Sequence, residues 1–235
     1  MPPDRFDEHV AAGYDEAAGE MFAPGAVEPA VSFLAELAGT GAALEFGVGT
    51  GRIALPLSQR GVRVHGIDLS PAMVAQLRAK PGGDAVEVTI GDFASTVVEG
   101  TFRVVYVVFN TITNLTTQNE QVACFQNAAR HLEPGGCFLI EVFVPALQRL
   151  PPGETIRAFT ARPDRLGFDE YDVASQSLVS HHYSIVDGRL QTLSLPFRYV
   201  WPAELDLMAQ IAGLTLRERW SDWTRTPFTS KSTTH

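Results

Sequence analysis

The apolar positions of this 235-residue chain change period several times, and each change marks an element. Phe6, Val10 and Tyr14 recur at helical spacing, and Val27, Val31, Leu34 and Leu37 do so again. Residues 4–38 therefore read as two helices, parted by the Pro- and Gly-containing stretch 21–29. From Ala43 the pattern shortens. Ala43–Phe46 is apolar apart from Glu45, as a short buried parallel strand is expected to be. Gly47, Gly49 and Gly51 follow at every second position, and Gly61 closes the next helix. Val62, Val64 and Ile67 mark a second strand with Asp68 at its C-terminal end. Ser70 at N-cap and Pro71 at N1 start a helix with Met73, Val74 and Leu77 on its apolar face. Val86, Val88 and Ile90 alternate with polar residues as a third strand, which ends in Gly91-Asp92-Phe93. Residues 102–109 are apolar almost without a break, as in a central strand, and run into Asn110, Thr111 and Asn114. Thr117 and Glu120 have the spacing of a capping box, ahead of a helix facing inward with Val122, Phe125, Ala129 and Leu132. A Pro134-Gly135-Gly136 turn then leads into a fifth strand over 137–143.

After Pro145 the pattern changes. Pro145, Pro151, Pro152 and Gly153 make a loop, and 172–186 and 189–201 read as a long β-hairpin about the Asp187-Gly188 turn. Pro202 opens a last helix and Gly213 closes it; 214–220 reads as a sixth strand, and 228–235 starts towards a further one. Strands alternating with helices predict an α/β fold, with ligands at the C-terminal ends of the strands. Length predicts a single domain over 1–235, with 1–40 as an N-terminal helical cap and 145–201 as an antiparallel insertion.

Composition narrows the partners. Net charge is −9, from 18 basic and 27 acidic side chains, and no Lys/Arg cluster occurs. That argues against a nucleic-acid substrate, whose affinity comes from basic surface. No run of 18 apolar residues suggests a membrane span, and the N-terminus lacks the regions of a signal peptide. Cys124 and Cys137 have no metal-ligand spacing, so no metal is expected, and reduced thiols suit a cytoplasmic location.

The chemistry sits at the glycine turn. Three such glycines let the backbone turn sharply and approach a ligand with no Cβ in the way, and a strand-end carboxylate such as Asp68 can take both hydroxyls of a ribose. A dinucleotide site would place its third glycine where Arg52 stands, and Glu45 suits an ammonium better than a pyrophosphate. The run Glu45-x-Gly47-x-Gly49-x-Gly51 with Asp68, then Gly91-Asp92-Phe93 and Leu132-x-Pro134-Gly135-Gly136, resembles the motifs of class I S-adenosylmethionine-dependent methyltransferases. The insertion makes the chain similar in kind to the small-molecule type, sugar-amine N-methyltransferases among them.

The resemblance implies a doubly wound, mostly parallel seven-stranded sheet of the Rossmann-like methyltransferase fold, with the hairpin walling the acceptor pocket or forming a dimer contact. It implies SN2 transfer from S-adenosyl-L-methionine to N or O of a small molecule, leaving S-adenosyl-L-homocysteine. The cofactor residues it implies are Glu45, Gly47, Gly49, Gly51, Arg52, Asp68, Leu69, Met73, Asp92, Phe93 and Asn110. Leu69 and Met73 would pack on adenine, though Met73 serves equally as core. Tyr14 would face the sulfonium or be a core aromatic, and Asn114 would align the acceptor or cap a turn. His181 and His182 lie on opposite strand faces, so at most one looks into a pocket. Either could act as a base, with His181 the candidate. A nicotinamide-dependent oxidoreductase and a non-catalytic S-adenosylmethionine-binding protein are the alternative readings, and a homodimer is compatible with the long hairpin.

Overall fold

The computed structural model describes residues 6–17, 19–186 and 188–235. Two helices open the chain: α1 (Glu8–Ala17) and α2 (Pro24–Ala38), joined by a 3-10 turn at Gly19–Phe22. The expected break at 21–29 is shorter than that, because Pro24 opens α2 at its first turn, where no N–H is needed. Pro29 sits inside the helix, and the residue whose carbonyl it leaves unbonded, Gly25, is exposed to water.

The central sheet contains β1 (Ala43–Phe46), β2 (Val64–Asp68), β3 (Glu87–Ile90), β4 (Phe102–Val107) and β5 (Leu132–Ile140) in the order β3-β2-β1-β4-β5, all parallel. The crossovers carry α3 (Ala54–Gln59), α4 (Pro71–Ala79) and α5 (Gln118–His131), and α6 (Pro202–Ile211) packs beside α5. β1 and most of β4 are buried on both faces, which is why they read as continuous apolar runs. One core layer gathers Phe46, Ile67, Val105, Phe125 and Met208, and the other Val31, Leu34, Leu57, Val64 and Tyr106. Ser70 caps α4 by accepting from Met73 N–H at 3.2 Å, and Thr117 and Glu120 form the expected capping box of α5.

Three expectations are corrected. Among the described residues the parallel sheet has five strands, not seven. Residues 214–220 form no ladder: Leu216 is exposed, Arg219 turns back to Asp206 on α6, and a single bridge joins Trp220 to Pro227. Next to β5, 142–144 instead pair antiparallel with the chain's last residues, through Val142 with His235 and Val144 with Thr233. Second, β5 begins at Leu132, and Pro134-Gly135-Gly136 is an irregularity within it. Phe102 pairs with Leu132 but Val104 with Cys137, and Gly135 at φ +80 takes up the excess residues.

Third, the insertion is a four-stranded antiparallel sheet rather than a hairpin: β6 (Ile156–Arg162), β7 (Arg165–Asp172), β8 (Ser177–Val186) and β9 (Arg189–Arg198), in that order. β8 and β9 are the expected hairpin; its Asp187 lies outside the described residues, and Gly188 has φ +72. Charges along β6 and β7 had hidden the other pair. The sheet is tied to the core by Arg198, which donates to Glu204 on α6 at 2.7 Å and also bonds Gln121 on α5.

Candidate active site

The strand ends of the parallel sheet open into a cavity of about 1070 Å³ whose far wall is the antiparallel insertion. Its near pole is the glycine turn. Gly47 has φ +74, and a Cβ there would stand 2.5 Å from Thr111 Cγ2. Gly49 has φ +53 and lies against the Met73 methyl group. Both conformations strain any residue with a Cβ, so the turn presents bare backbone to the cavity. Gly51 serves packing instead. A Cβ there would meet Leu55 and Leu77 at about 3 Å, so the glycine lets α3 and α4 pack beneath the turn.

Asp68 closes β2 beside this turn. One carboxylate oxygen accepts from Gly49 N–H at 2.6 Å and the other from Ser70 N–H at 2.9 Å. Asp92 accepts from Ala94 N–H at 2.9 Å, and with Phe93 it lines the same pole. Beyond β4 the chain is strained: Phe109 and Asn110 both have positive φ, 57° and 58°. Glu141 and Asn110 hold this kink. The Glu141 carboxylate accepts from Phe109 N–H at 2.8 Å and Trp223 Nε1 at 3.1 Å, and Asn110 Oδ1 accepts from Phe143 N–H at 2.6 Å.

The cavity brings together Tyr14, Gly47, Gly49, Asp68, Leu69, Met73, Asp92, Phe93, Asn110 and Asn114 from the sequence-predicted set. It leaves out Glu45, Gly51, Arg52 and His181. Glu45 is 3% exposed beneath the turn, where Tyr106 OH donates to it at 2.9 Å. Burial pushes its pKa up to about 8, against the opposing pull of Tyr106 and Arg52. Arg52 stacks over the Phe109 ring at 4.4 Å and donates to Met21 O. Burial also raises the Tyr14 hydroxyl pKa, with Arg52 acting against it.

The N-terminal helix is latched over this pole. Asp15 accepts from Thr50 Oγ1 at 2.6 Å and pairs with Lys80, whose ammonium also reaches Thr50 O at 2.8 Å. Ser70 Oγ donates to Phe6 O at 2.5 Å.

The far wall follows from strand parity. Arg157, Asp169, Ser180 and Leu195 form one cross-strand row, and Tyr171, Leu178 and Phe197 form another; all of them line the cavity. The structure places His182, not His181, among the lining residues. His181 is on the outer face, bonded to Ser194 Oγ at 2.8 Å and 3.5 Å from Glu170. Asp169, Tyr171 and Ser180 escaped the sequence reading. Asp169 and Tyr171 lie on β7, whose charges hide the strand, and for Ser180 on β8 nothing in one strand says which face turns inward. Burial raises the Asp169 pKa, partly offset by hydrogen bonds from Ser180 and Tyr171, and lowers that of His182, helped by Arg165.

The methyltransferase-domain family matches residues 43–136. The chain is 31% identical to the cypemycin N-terminal methyltransferase of a Streptomyces species, over 98% of this chain and 95% of that protein. It is also similar to the solved CcbJ methyltransferase of Streptomyces caelestis, with TM-score 0.85, 38% identity and coverage of 96% and 93% of the two chains. The S-adenosylmethionine-bound CalS10 of Micromonospora echinaspora, an amino pentose methyltransferase, shares the fold at TM-score 0.69 and 20% identity, over 100% of this chain and 97% of that one.

Proposed function

The chain belongs to the S-adenosylmethionine-dependent methyltransferases, and we propose that it methylates an amine nitrogen of a small acceptor enclosed in the cavity. One observation carries this reading: a single cavity runs from the glycine turn to the polar wall of β6–β9, so cofactor and acceptor share one walled space. The amine is supported by a relative named for N-terminal methylation and a fold neighbour named for an amino pentose.

The residues fit the cofactor, since the cradle at Gly47 and Gly49 is one that a Cβ would fill. Bound there, S-adenosylmethionine supplies a methyl group activated on a sulfonium, together with its own leaving group. Asp68 would hold the ribose, Asp92 and Phe93 the adenine, with Leu69 and Met73 along it. Gly51, Glu45 and Arg52 support the turn from behind. Tyr14, Asn110 and Asn114 line the same cavity. Residues 1–40 then serve as a cap that excludes water, and 145–201 as the acceptor wall. The protein's main work is alignment, which can lower a barrier by about 7–11 kcal/mol.

The outer face of the insertion supports a homodimer contact. Ile156, Leu166, Ile185 and Leu190 are exposed there, and Ile185 and Leu190 pair directly.

The function is tested by transfer of labelled methyl from S-adenosylmethionine into matched panels of small amines, N-terminal peptides and phenols. Label is expected in amines. Label confined to hydroxyl acceptors, or in none, would overturn the reading.

A further inference from the structure

We infer that His182 is the proton acceptor for the incoming amine, and that Ser180 and Asp169 position it by fixing which ring nitrogen carries the hydrogen. The inference rests on the amine reading above and adds a residue role to it.

The geometry is a short chain of polar groups on the inner face of the sheet. Ser180 Oγ lies 3.2 Å from His182 Nε2, two residues along β8 on the same face. Directly across the ladder from Ser180 stands Asp169. Tyr171 OH approaches Asp169 Oδ2 at 3.4 Å. A hydroxyl has one hydrogen to give, and an ionised carboxylate can only accept. Assigned to Asp169 across the ladder, that hydrogen leaves Ser180 Oγ to accept from His182. Nε2 therefore carries the imidazole hydrogen, and Nδ1 keeps its lone pair for a proton.

The ring is also held sterically. Gly167 is the cross-strand neighbour of His182, and a Cβ there would stand 2.3 Å from Phe159 Cε2. The bare glycine lets the Phe159 ring lie against the imidazole, with centroids 5.2 Å apart. The titratable groups around His182 are Asp169 and Arg165 on β7 and His181 on its own strand. On β9 its partner is the uncharged Leu193, while Arg157 on β6 faces Asp169 and Lys231 lines the cavity from the C-terminal segment. The lowered pKa keeps the ring neutral, and so able to accept, near neutral pH.

The step is one proton. An N–H bond of the acceptor's ammonium breaks, its electron pair stays on nitrogen, and the proton goes to Nδ1. Asp169, through Ser180, stabilises the resulting imidazolium. The freed lone pair is what the amine needs to act as nucleophile, and the imidazolium later returns its proton to water.

Two measurements test this. The first is nitrogen NMR of imidazole-labelled protein, which needs no acceptor. Wild type should show the Nε2–H tautomer at His182, and Ser180→Ala should lose that preference. An Nδ1–H tautomer in wild type overturns the assignment. The second is the pH dependence of kcat with an amine labelled in the panel. Wild type should lose rate as pH falls through the His182 pKa. His182→Gln should lower kcat roughly a hundredfold to ten-thousandfold and remove that limb. Ser180→Ala should keep the limb but move it. A His182→Gln enzyme with wild-type rate and limb overturns the proposal while leaving the amine reading intact. Failure of the amine reading is distinct, because wild type then labels no amine, and the tautomer still decides the pairing.

Discussion

Glu45 shows how one residue joins stability to function. Its carboxyl is buried below the glycine turn with Tyr106 as donor, and burial holds its pKa near 8 against an ordinary 4.5. Because the folded pKa is the higher one, its contribution to stability is complete below about pH 4.5 and is lost as pH rises through about 8. Glu45→Gln keeps the shape and removes the ionisation. Its Tm, followed by calorimetry from about pH 6 to about pH 9, should fall less steeply than that of wild type. Parallel curves for the two proteins would contradict the assignment. At this scale the sequence was informative wherever backbone geometry demands a residue type. Gly47 and Gly49 are legible because their positive φ strains any side chain, and at Gly47 Thr111 also leaves no room for a Cβ. His182 was only half legible: alternation separates it from His181, but the inward face is chosen by the body against which the sheet folds.

Helix α1 is held at its inner edge by a small polar latch. Asp15 joins Thr50 of the glycine turn to Lys80 beyond α4, so closing the helix also stiffens the loop proposed to hold the cofactor. Asp15 and Lys80 are partly exposed, which limits what the ion pair contributes. Asp15→Ala should weaken S-adenosylhomocysteine binding by about 1 kcal/mol, about fivefold by calorimetric titration, and speed amide exchange in α1. Unchanged affinity and exchange would mean the latch is ornamental to closure. Other elements differ in how openly they declare themselves. Thr117 and Glu120 announce the start of α5, because capping is satisfied within four residues. β6 and β7 do not announce themselves. Arg157, Arg162, Arg165 and Asp169 break any apolar run, and the pair becomes a sheet only by laddering onto β8.

Across the whole molecule, the exposed apolar outer face of the insertion and the net charge of −9 pull in opposite directions. Like charge resists association, and its reach shrinks with salt, to a Debye length of about 10 Å at 0.1 M. Sedimentation at moderate salt should therefore give a dimer that tightens as salt rises, and Leu190→Lys should give a monomer. A monomer at every salt and protein concentration would remove the dimer. The sequence by itself determined the parallel core and the glycine turn proposed to hold the cofactor. β1 and β4 are buried by their own apolar runs, and within one β-α-β unit the turn needs positive φ at Gly47, Gly49 and Gly51 and sets Asp68 to accept from Gly49 N–H. Only the tertiary structure decided the far side of the cavity. The edge beyond β5, the fourfold count of the insertion and the choice of Asp169, Ser180 and His182 as its inner wall all depend on pairings between distant segments. Strand pairing is a contest among edges for partners, and its outcome is settled by what remains unpaired once the rest of the chain has folded.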